Sequence, residues 1–159
     1  MFRIGNGYDV HCLKDGLELW IGGIKIESDK GVVAHSDGDT LIHAICDALL
    51  GAAALRDIGY HFPDNDAKYK NIDSKILLKK VVDMLAEKKY SIVNIDSTVC
   101  LQQPKIKAFI DEMQKCLANV MNIDIDKISV KATTTEQLGF VGRQEGIAAY
   151  AVVLIEKNN

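Results

Sequence analysis

The chain has 159 residues, of which 48% are hydrophobic and 26% are charged, and its formal net charge is -3 at pH 7. These values are typical of a soluble globular protein that is long enough to bury a full core. The weak negative charge argues against nucleic-acid binding, which needs a basic surface, and no apolar run is long enough to span a membrane. No targeting segment precedes the first predicted strand, so we expect a cytoplasmic protein of bacterial type.

Hydrophobic periodicity and turn residues predict one α/β domain over residues 1–159. In chain order, the predicted elements are a strand from residue 2, a β-hairpin at 17–26, a helix at 39–54, a helix from residue 73 or 74, a strand at 92–102, a helix after Pro104, and strands at 128–135 and 146–155. Alternation places Val93 and Ile95 on one face of the strand at 92–102. The strand at 146–155 is apolar on both faces, which is typical of a strand covered on both sides.

The most informative group of polar residues is Asp9, His11 and His43. Asp9 and His11 are two residues apart in an extended segment, where such side chains point to one face. Two imidazoles and one carboxylate suit Zn²⁺ or another divalent transition metal, and they leave one position open for a substrate. His43 shares a face of its predicted helix with Asp39 and Asp47, which favours a polar site over a core position. The spacing leaves an alternative open, in which a strand carboxylate and two unrelated polar residues never meet.

Two further segments carry groups that are suited to chemistry. Residues 57–66 form a predicted loop that is rich in carboxylates but is interrupted by Ile58 and Phe62. Residues 131–140 place three threonines and Glu136 after a lysine, and these groups could bind phosphate oxygens and a hard cation such as Mg²⁺ or Mn²⁺. For residues 57–66, the alternative is a helix-terminating loop with solvated aspartates. For residues 131–140, it is an ordinary β-branched strand end.

Short motifs follow one another from residue 3 to the last strand. They are Arg3-Ile4-Gly5, Asp9-Val10-His11, Ala34-His35-Ser36-Asp37-Gly38-Asp39 with His43, Asp47-Ala48-Leu49-Leu50-Gly51-Ala52, Asp57-Ile58-Gly59, Phe62-Pro63-Asp64, Pro104-Lys105, Lys131-Ala132-Thr133-Thr134-Thr135-Glu136, Leu138-Gly139-Phe140, Gly142-Arg143 and Glu145-Gly146. In this order they resemble the family of 2-C-methyl-D-erythritol 2,4-cyclodiphosphate synthases, which act in non-mevalonate isoprenoid biosynthesis. The resemblance covers essentially the whole chain. Together the motifs are specific for this family, although each one alone is weak evidence.

The resemblance implies a phosphorus–oxygen lyase. Its substrate would be 4-diphosphocytidyl-2-C-methyl-D-erythritol 2-phosphate, whose own 2-phosphate would attack the β-phosphorus to give the cyclic diphosphate and CMP. Such a reaction needs positioning and charge neutralisation, because its transition state spreads negative charge over phosphoryl oxygens. Two alternatives are a metal-dependent nucleotide pyrophosphatase and a non-catalytic, metal-stabilised trimer.

The resemblance also implies roles for individual residues. Asp9, His11 and His43 would hold zinc. Glu136 would help to hold Mg²⁺ or Mn²⁺ that bridges the α- and β-phosphates. His35 and Thr134 match positions that stabilise the transition state. The implied substrate-binding residues are Asp9, Val10, His11, His35, Ser36, Asp57, Ile58, Gly59, Phe62, Pro63, Asp64, Asn65, Asp66, Leu101, Gln102, Gln103, Pro104, Lys105, Ile106, Lys107, Ala132, Thr133, Thr134, Thr135, Glu136, Phe140 and Arg143. Within this set, residues 62–66 would close a flap, and residues 101–105 and 132–134 would bind the cytidine.

The fold that the resemblance implies is a single α/β domain of α+β type, with a mixed four-stranded sheet, helices on one face and a small β-hairpin. Three such chains would form a homotrimer with active sites between adjacent subunits. Phe140 and Arg143 match residues near a central cavity of that trimer. Asn65 stands where the family often has Thr. This difference lies in the flap and removes no metal ligand. His61 has no matching role, and we expect it on the loop surface.

Overall fold

Seven strands form a five-stranded sheet and a separate two-stranded hairpin in the computed structural model, which describes residues 1–63 and 65–158. The strands are Phe2–Asp15 (β1), Leu19–Ile21 (β2), Ile24–Ile26 (β3), Lys30–Val32 (β4), Tyr90–Cys100 (β5), Ile128–Thr133 (β6) and Gly146–Lys157 (β7). The order in the larger sheet is β4-β1-β7-β5-β6, with β5 and β6 parallel and the other neighbours antiparallel. The prediction of a four-stranded sheet is therefore wrong by one strand. β4 pairs with the end of β1, and its three residues are too few to show an alternating pattern.

The three long helices pack together on one face of this mixed sheet, as predicted. The helices are Thr40–Ala52 (α1), Ile58–His61 (α2), Ser74–Glu87 (α3), Ile110–Met121 (α4) and Gly139–Gly142 (α5). α1 packs against β1 and β7, α3 against β5, and α4 against β6. Ile147, Ala149 and Ala151 of β7 are consequently 0% exposed beneath them. Across residues 1–63 and 65–158, no helix combines the length and apolarity needed to cross a membrane.

The opposite face of the sheet is open in a single chain, although the apolar pattern of residues 146–155 is typical of a strand covered on both sides. Tyr150 and Val152 of β7 are 47% and 48% exposed. Tyr8 of β1 lies beside Tyr150, with the two ring centroids 4.9 Å apart. The second apolar face of β7 is thus part of an exposed apolar surface, which is a common feature of protein–protein contacts.

β1 lies directly against α1 because glycines occur where the strand meets the helix. A Cβ added to Gly7 would lie 1.9 Å from the carbonyl oxygen of Ala44, and Gly5 approaches the next turn of α1 equally closely. No side chain larger than hydrogen fits at such a contact. Asp9 and His11 follow on the same face of β1, so this close approach places both side chains next to α1.

A β-bulge changes the alternation within β5. The pairing of β5 with β7 shifts between Ile92 and Asn94, so that Val93 is the extra residue. Ile92 and Ile95 are buried, at 7% and 1% exposed, whereas Val93 is only partly buried. The prediction that Val93 and Ile95 share one face is wrong, because one inserted residue reverses the alternation.

Asp39 joins the predicted hairpin to the start of α1. Its carboxylate accepts hydrogen bonds from the backbone N–H groups of Gly22 at 2.9 Å, Gly23 at 2.6 Å and Ile42 at 3.0 Å. Both glycines have positive φ, which the hairpin turn requires. Burial raises the pKa of the Asp39 carboxyl. Asp39 is therefore a structural helix cap and not part of the polar site that was predicted around His43.

Candidate active site

Asp9, His11 and His43 meet where β1 packs on α1. Oδ2 of Asp9 lies 3.0 Å from Nε2 of His11 and 3.1 Å from Nδ1 of His43, and the two imidazole nitrogens are 3.2 Å apart. Alternation along β1 presents Asp9 and His11 on one face, and α1 supplies His43. The long-range pairing that the spacing left open is therefore present.

The three donor atoms fit a divalent transition metal. Imidazole nitrogens and carboxylate oxygens are ordinary zinc ligands, with bonds of about 2.0–2.2 Å. A tetrahedral ion with such bonds separates its ligand atoms by about 3.4 Å. The observed separations of 3.0, 3.1 and 3.2 Å are close to this value. Three protein ligands leave a fourth position for a substrate, which is the pattern of catalytic zinc sites.

The charges of the cluster shift the pKa values of Asp9 and His43. Burial acts to raise the pKa of Asp9, but hydrogen bonds with His11 and His43 outweigh burial and lower this pKa well below its usual range. Burial acts to lower the pKa of His43, but the hydrogen bond with the Asp9 carboxylate and the negative charges of Asp9, Asp39 and Asp37 together outweigh burial and raise this pKa. A metal ion and a proton would therefore compete for the ring nitrogen of His43.

Sequence reasoning missed Ser74 as a member of the site. The Ser74 hydroxyl lies 2.9 Å from Nε2 of His43, on the side of the ring that faces away from Asp9. Ser74 is the first residue of α3 and is fully buried. The Ser36 hydroxyl is farther from the same nitrogen, at 3.4 Å. In the sequence Ser74 resembles an ordinary helix N-terminal residue, so no sequence signal connects it with His43.

A cavity of about 350 Å³ adjoins the cluster. The predicted site residues that line it are Asp9, His11, His35, Ser36, His43, Ile58, Gly59 and Phe62. Val10 lies on the opposite face of β1 and is 43% exposed. The packing thus combines one face of β1, the loop before α1 and the short helix α2 in one site.

The position of α2 depends on two carboxylates. Asp47 accepts a hydrogen bond from the backbone N–H of Ile58 at 2.7 Å, which ties α2 to α1. Asp57 caps α2 by accepting from a backbone N–H in its first turn at 3.2 Å. Nε2 of His61 lies 2.8 Å from the carbonyl oxygen of Leu55 and donates to it. The interpretation of His61 as loop surface is therefore wrong, because this bond holds α2 to the segment that follows α1.

Three of the remaining residues of the predicted flap, Pro63, Asn65 and Asp66, do not line the cavity of about 350 Å³. Pro63 and Asn65 are exposed. Asp66 accepts a hydrogen bond from the backbone N–H of Lys68 at 2.9 Å and caps a short 3-10 turn. Asp64, which is also among the predicted substrate-binding residues, lies outside the residues that the structure describes.

His35 and Ser36 supply polar groups beside the cavity. Within the described residues, the buried Nε2 of His35 has no hydrogen-bond partner. The backbone of His35 is held in place, since its carbonyl oxygen accepts from the N–H of Asn71 at 2.7 Å. The Ser36 hydroxyl accepts from the N–H of Gly38 at 3.1 Å, which leaves its own proton free to donate. Both side chains could therefore bind phosphate oxygens.

Eight of the other predicted site residues line a second cavity of about 140 Å³. Its lining residues are Leu101, Pro104, Lys105, Ile106, Lys107, Ala132, Thr133 and Thr134. The parallel pairing of β5 with β6 brings the two segments together, and the N–H of Leu101 donates to the carbonyl of Thr133 at 3.0 Å. Gln102 accepts from the N–H of Gln137 at 3.4 Å, and Gln103 lines a neighbouring cavity.

Glu136 lies with this second group of residues. The Thr134 hydroxyl donates to Oε1 of Glu136 at 3.0 Å, and Glu136 has a positive φ of 52°. The hydroxyl of Thr135 donates to the carbonyl of Leu138 at 2.7 Å. Among the described residues of one chain, the metal-binding cluster and the larger cavity do not include Glu136. Sixteen of the predicted site residues thus line one or the other of two cavities, eight in each.

Phe140 and Arg143 line neither of these two cavities. Phe140 is 37% exposed. Arg143 forms a two-fold ion pair with Glu145, in which Nε and Nη2 each lie 2.9 Å from a carboxylate oxygen. Both side chains lie at the surface of a single chain.

Comparisons with known proteins identify the family of this chain. The sequence profile of the YgbB family matches residues 2–156. The chain is 64% identical over 155 residues to the 2-C-methyl-D-erythritol 2,4-cyclodiphosphate synthase of Bacteroides fragilis, and the match covers 98% of both chains. It superposes on the bifunctional IspDF of Campylobacter jejuni with a TM-score of 0.96 and 44% identity, over 100% of this chain and 43% of that one. It superposes on the CDP complex of IspF from Plasmodium falciparum with a TM-score of 0.87 and 38% identity, over 99% of this chain and 97% of that one. The chain therefore belongs to the YgbB family of 2-C-methyl-D-erythritol 2,4-cyclodiphosphate synthases.

Proposed function

We propose that this chain converts 4-diphosphocytidyl-2-C-methyl-D-erythritol 2-phosphate to 2-C-methyl-D-erythritol 2,4-cyclodiphosphate and releases CMP. The observation that carries the proposal is the cluster of Asp9, His11 and His43, which faces a cavity that His35 and Ser36 also line. The Bacteroides fragilis relative, at 64% identity, is a synthase of this kind. The reaction would serve the non-mevalonate route to isoprenoids.

The reaction closes a ring within one substrate molecule. An oxygen of the 2-phosphate forms a bond to the β-phosphorus, and the bond from that phosphorus to the oxygen shared with the α-phosphate breaks. The electron pair remains on that oxygen, which leaves as part of CMP. Both reacting phosphates belong to the substrate, so the protein needs no nucleophile of its own. Its contribution is to hold the phosphates in contact and to neutralise their charge.

We assign the phosphates and the erythritol to the larger cavity. His35 and Ser36 carry the polar groups that could bind phosphoryl oxygens there. Gly59 and Asp57, at the start of α2, would meet the sugar or diol oxygens, and residues 62–66 would close over them. Thr134 would reach the phosphates from the second cavity, where its hydroxyl adjoins Glu136.

The chemistry of the donor atoms separates two metal ions. The imidazoles and the carboxylate of the cluster form the mixed nitrogen and oxygen set that Zn²⁺ or another divalent transition metal takes. Glu136 offers only oxygen, which suits Mg²⁺ or Mn²⁺. When bound, such ions supply positive charge that polarises phosphoryl oxygens and offsets the charge of the transition state.

We assign the cytidine to the second cavity. Its walls are residues 101–107 and 132–134, and their backbone groups could bind a base. The Plasmodium falciparum relative forms a complex with CDP, which supports a cytidine-diphosphate substrate. The two cavities of one chain share no lining residue, and we infer that a second copy completes the site.

A homotrimer would supply that second copy. The open face of the sheet carries Tyr8, Tyr150 and Val152, which are 44%, 47% and 48% exposed. Burying apolar surface of this kind is the main driving force for association. Closed rotational symmetry would repeat the same contact around the ring and place one subunit's second cavity beside its neighbour's cluster.

An assay on the cytidine substrate tests the proposal directly. The purified protein is incubated with the substrate, Zn²⁺ and Mg²⁺, and the reaction is followed by ³¹P NMR. We expect the substrate signals to be replaced by those of the cyclic diphosphate and CMP. His43→Ala serves as the control for background cleavage. Formation of a linear bisphosphate with CMP would indicate a pyrophosphatase, and an absence of turnover would contradict both activities.

A further inference from the structure

Ser74 connects His43 to Asp37 through consecutive hydrogen bonds. The Ser74 hydroxyl lies 2.9 Å from Nε2 of His43 and donates its proton to Oδ1 of Asp37. The backbone N–H of Ser74 donates to Oδ2 of the same carboxylate at 2.8 Å. Ser74 is fully buried, at the point where α1, α3 and the loop before α1 meet.

The directions of these bonds determine which nitrogen of His43 carries a proton. A hydroxyl has one proton and a carboxylate only accepts, so the proton of Ser74 belongs to the bond with Asp37. The hydroxyl oxygen of Ser74 must then accept from His43, which requires a proton on Nε2. A neutral His43 therefore keeps its lone pair on Nδ1. This is the nitrogen that lies 3.1 Å from Oδ2 of Asp9, inside the cluster.

We propose that Ser74, backed by Asp37, is a positioning residue that fixes the tautomer of His43 and thereby raises the metal affinity of the cluster. The inference rests on the metal site of the proposed function. A histidine ligand generally donates its second N–H to an outer partner, and the loss of that partner weakens metal binding about 10- to 100-fold. Here the Ser74 hydroxyl lies between the Asp37 carboxylate and the His43 imidazole, so Asp37 acts on His43 without contacting it.

Ser36 does not share this role, although it also approaches His43. Its hydroxyl is 3.4 Å from Nε2, near the limit for a hydrogen bond, and it already accepts from the N–H of Gly38. Ser74 is closer to Nε2, and Asp37 holds it through both its hydroxyl and its N–H. Ser74 is thus the partner whose removal should change the metal affinity.

The zinc affinity of Ser74→Ala, measured by competition with a chromophoric chelator, tests the inference. We expect the affinity to fall about 10- to 100-fold, while the metal-free variant keeps the wild-type circular dichroism spectrum. Ser97→Ala is the matched control, because Ser97 is also buried, at 2% exposed, and its hydroxyl donates to the carbonyl of Ser129 at 2.8 Å. Ser97 lies on β5 and does not contact the cluster, so this variant should keep the wild-type zinc affinity.

Two further measurements separate positioning from packing. Adding Asp37→Asn to Ser74→Ala should weaken zinc binding no further, because Asp37 acts through Ser74. In the zinc-loaded wild-type protein with ¹⁵N-labelled histidine, the Nε2 proton of His43 should give a signal that is protected from solvent exchange. A purely structural role for Ser74 predicts neither the unchanged zinc affinity of the double variant nor the protected Nε2 proton of His43.

The outcomes distinguish this inference from the proposed function. If the wild-type protein binds no zinc, the proposed metal site is wrong and the inference is overturned with it. If the wild-type protein binds zinc and Ser74→Ala binds it equally well, only the inference is overturned. If Ser74→Ala does not fold, the ¹⁵N spectrum of the wild-type protein decides. A His43 Nε2 proton that is absent or exchanges freely would then overturn the inference.

Discussion

Gly7 of β1 lies against the backbone of Ala44 in α1, so closely that a Cβ on Gly7 would lie 1.9 Å from the Ala44 carbonyl oxygen. His43 precedes Ala44 on α1, and Asp9 follows Gly7 on the same face of β1. The contact therefore sets the distance between the strand ligands and the helix ligand of the candidate metal site. Gly7 thus allows the close packing of β1 on α1 that brings the candidate metal ligands together.

We expect Gly7→Ala to destabilise the protein by about 3 kcal/mol, because the added methyl must push α1 away from β1. Any folded fraction should bind zinc poorly, since His43 moves with the helix. Urea unfolding and zinc titration measure the two effects. Gly51→Ala is the matched control, because a Cβ at Gly51 meets nothing within 4 Å. This helix substitution should stabilise the protein by about 0.5–1 kcal/mol, and a Gly7→Ala variant as stable as the wild type would contradict the account.

His43→Ala should remove the metal while the protein still folds. The loss of one of three ligands should weaken zinc binding more than about 100-fold, because even the loss of an outer partner weakens it 10- to 100-fold. The apolar face of α1 is unchanged, so the circular dichroism spectrum should be retained. His61→Ala removes another partly buried histidine, and its zinc content should remain at the wild-type level. Normal zinc stoichiometry in His43→Ala would show that His43 is not a ligand.

Glu136→Gln should keep zinc but lose most turnover. A neutral amide binds hard cations more weakly than a carboxylate, so the loss should be on the order of 100-fold at ordinary Mg²⁺ concentrations. Raising the Mg²⁺ concentration should restore part of the rate. Glu112→Gln alters an exposed carboxylate on α4 and serves as the control. A wild-type rate for Glu136→Gln at low Mg²⁺ would remove Glu136 from the metal site.

Alternation alone predicts that Asp9 and His11 share a face of β1. Their meeting with His43, 34 residues from Asp9, depends on how β1 packs on α1, and periodicity carries no information on such packing. The same limit applies to Ser74, which reaches His43 from α3 across 31 residues. The wrong placement of Val93 has a local cause, because a single bulge residue reverses all later side chains of a strand.

The open face of the sheet should hold subunits together. We expect the wild-type protein to be a trimer by light scattering, and Tyr150→Lys to shift it towards monomers, because a charge would be placed in an apolar contact. The monomer should be inactive, since the two cavities of one chain share no lining residue and we infer that a neighbour completes the site.

Ile76→Lys is the control for this prediction. Ile76 is 49% exposed, like Tyr150, but it lies on α3 on the other side of the sheet. This variant should remain trimeric and active. A fully active monomer, from the wild type or from Tyr150→Lys, would contradict the shared site.

The origin of the oxygen atoms in the products tests the cyclase activity most directly. In the proposed reaction, an oxygen already on the 2-phosphate attacks the β-phosphorus, and its effective concentration can exceed about 10⁵ M in a well-oriented complex. The reaction is run in ¹⁸O-labelled water, and both products are weighed by mass spectrometry. Unlabelled CMP together with an unlabelled cyclic diphosphate is the predicted result. One ¹⁸O atom in CMP or in a linear bisphosphate would show that water attacks phosphorus, and it would contradict the account.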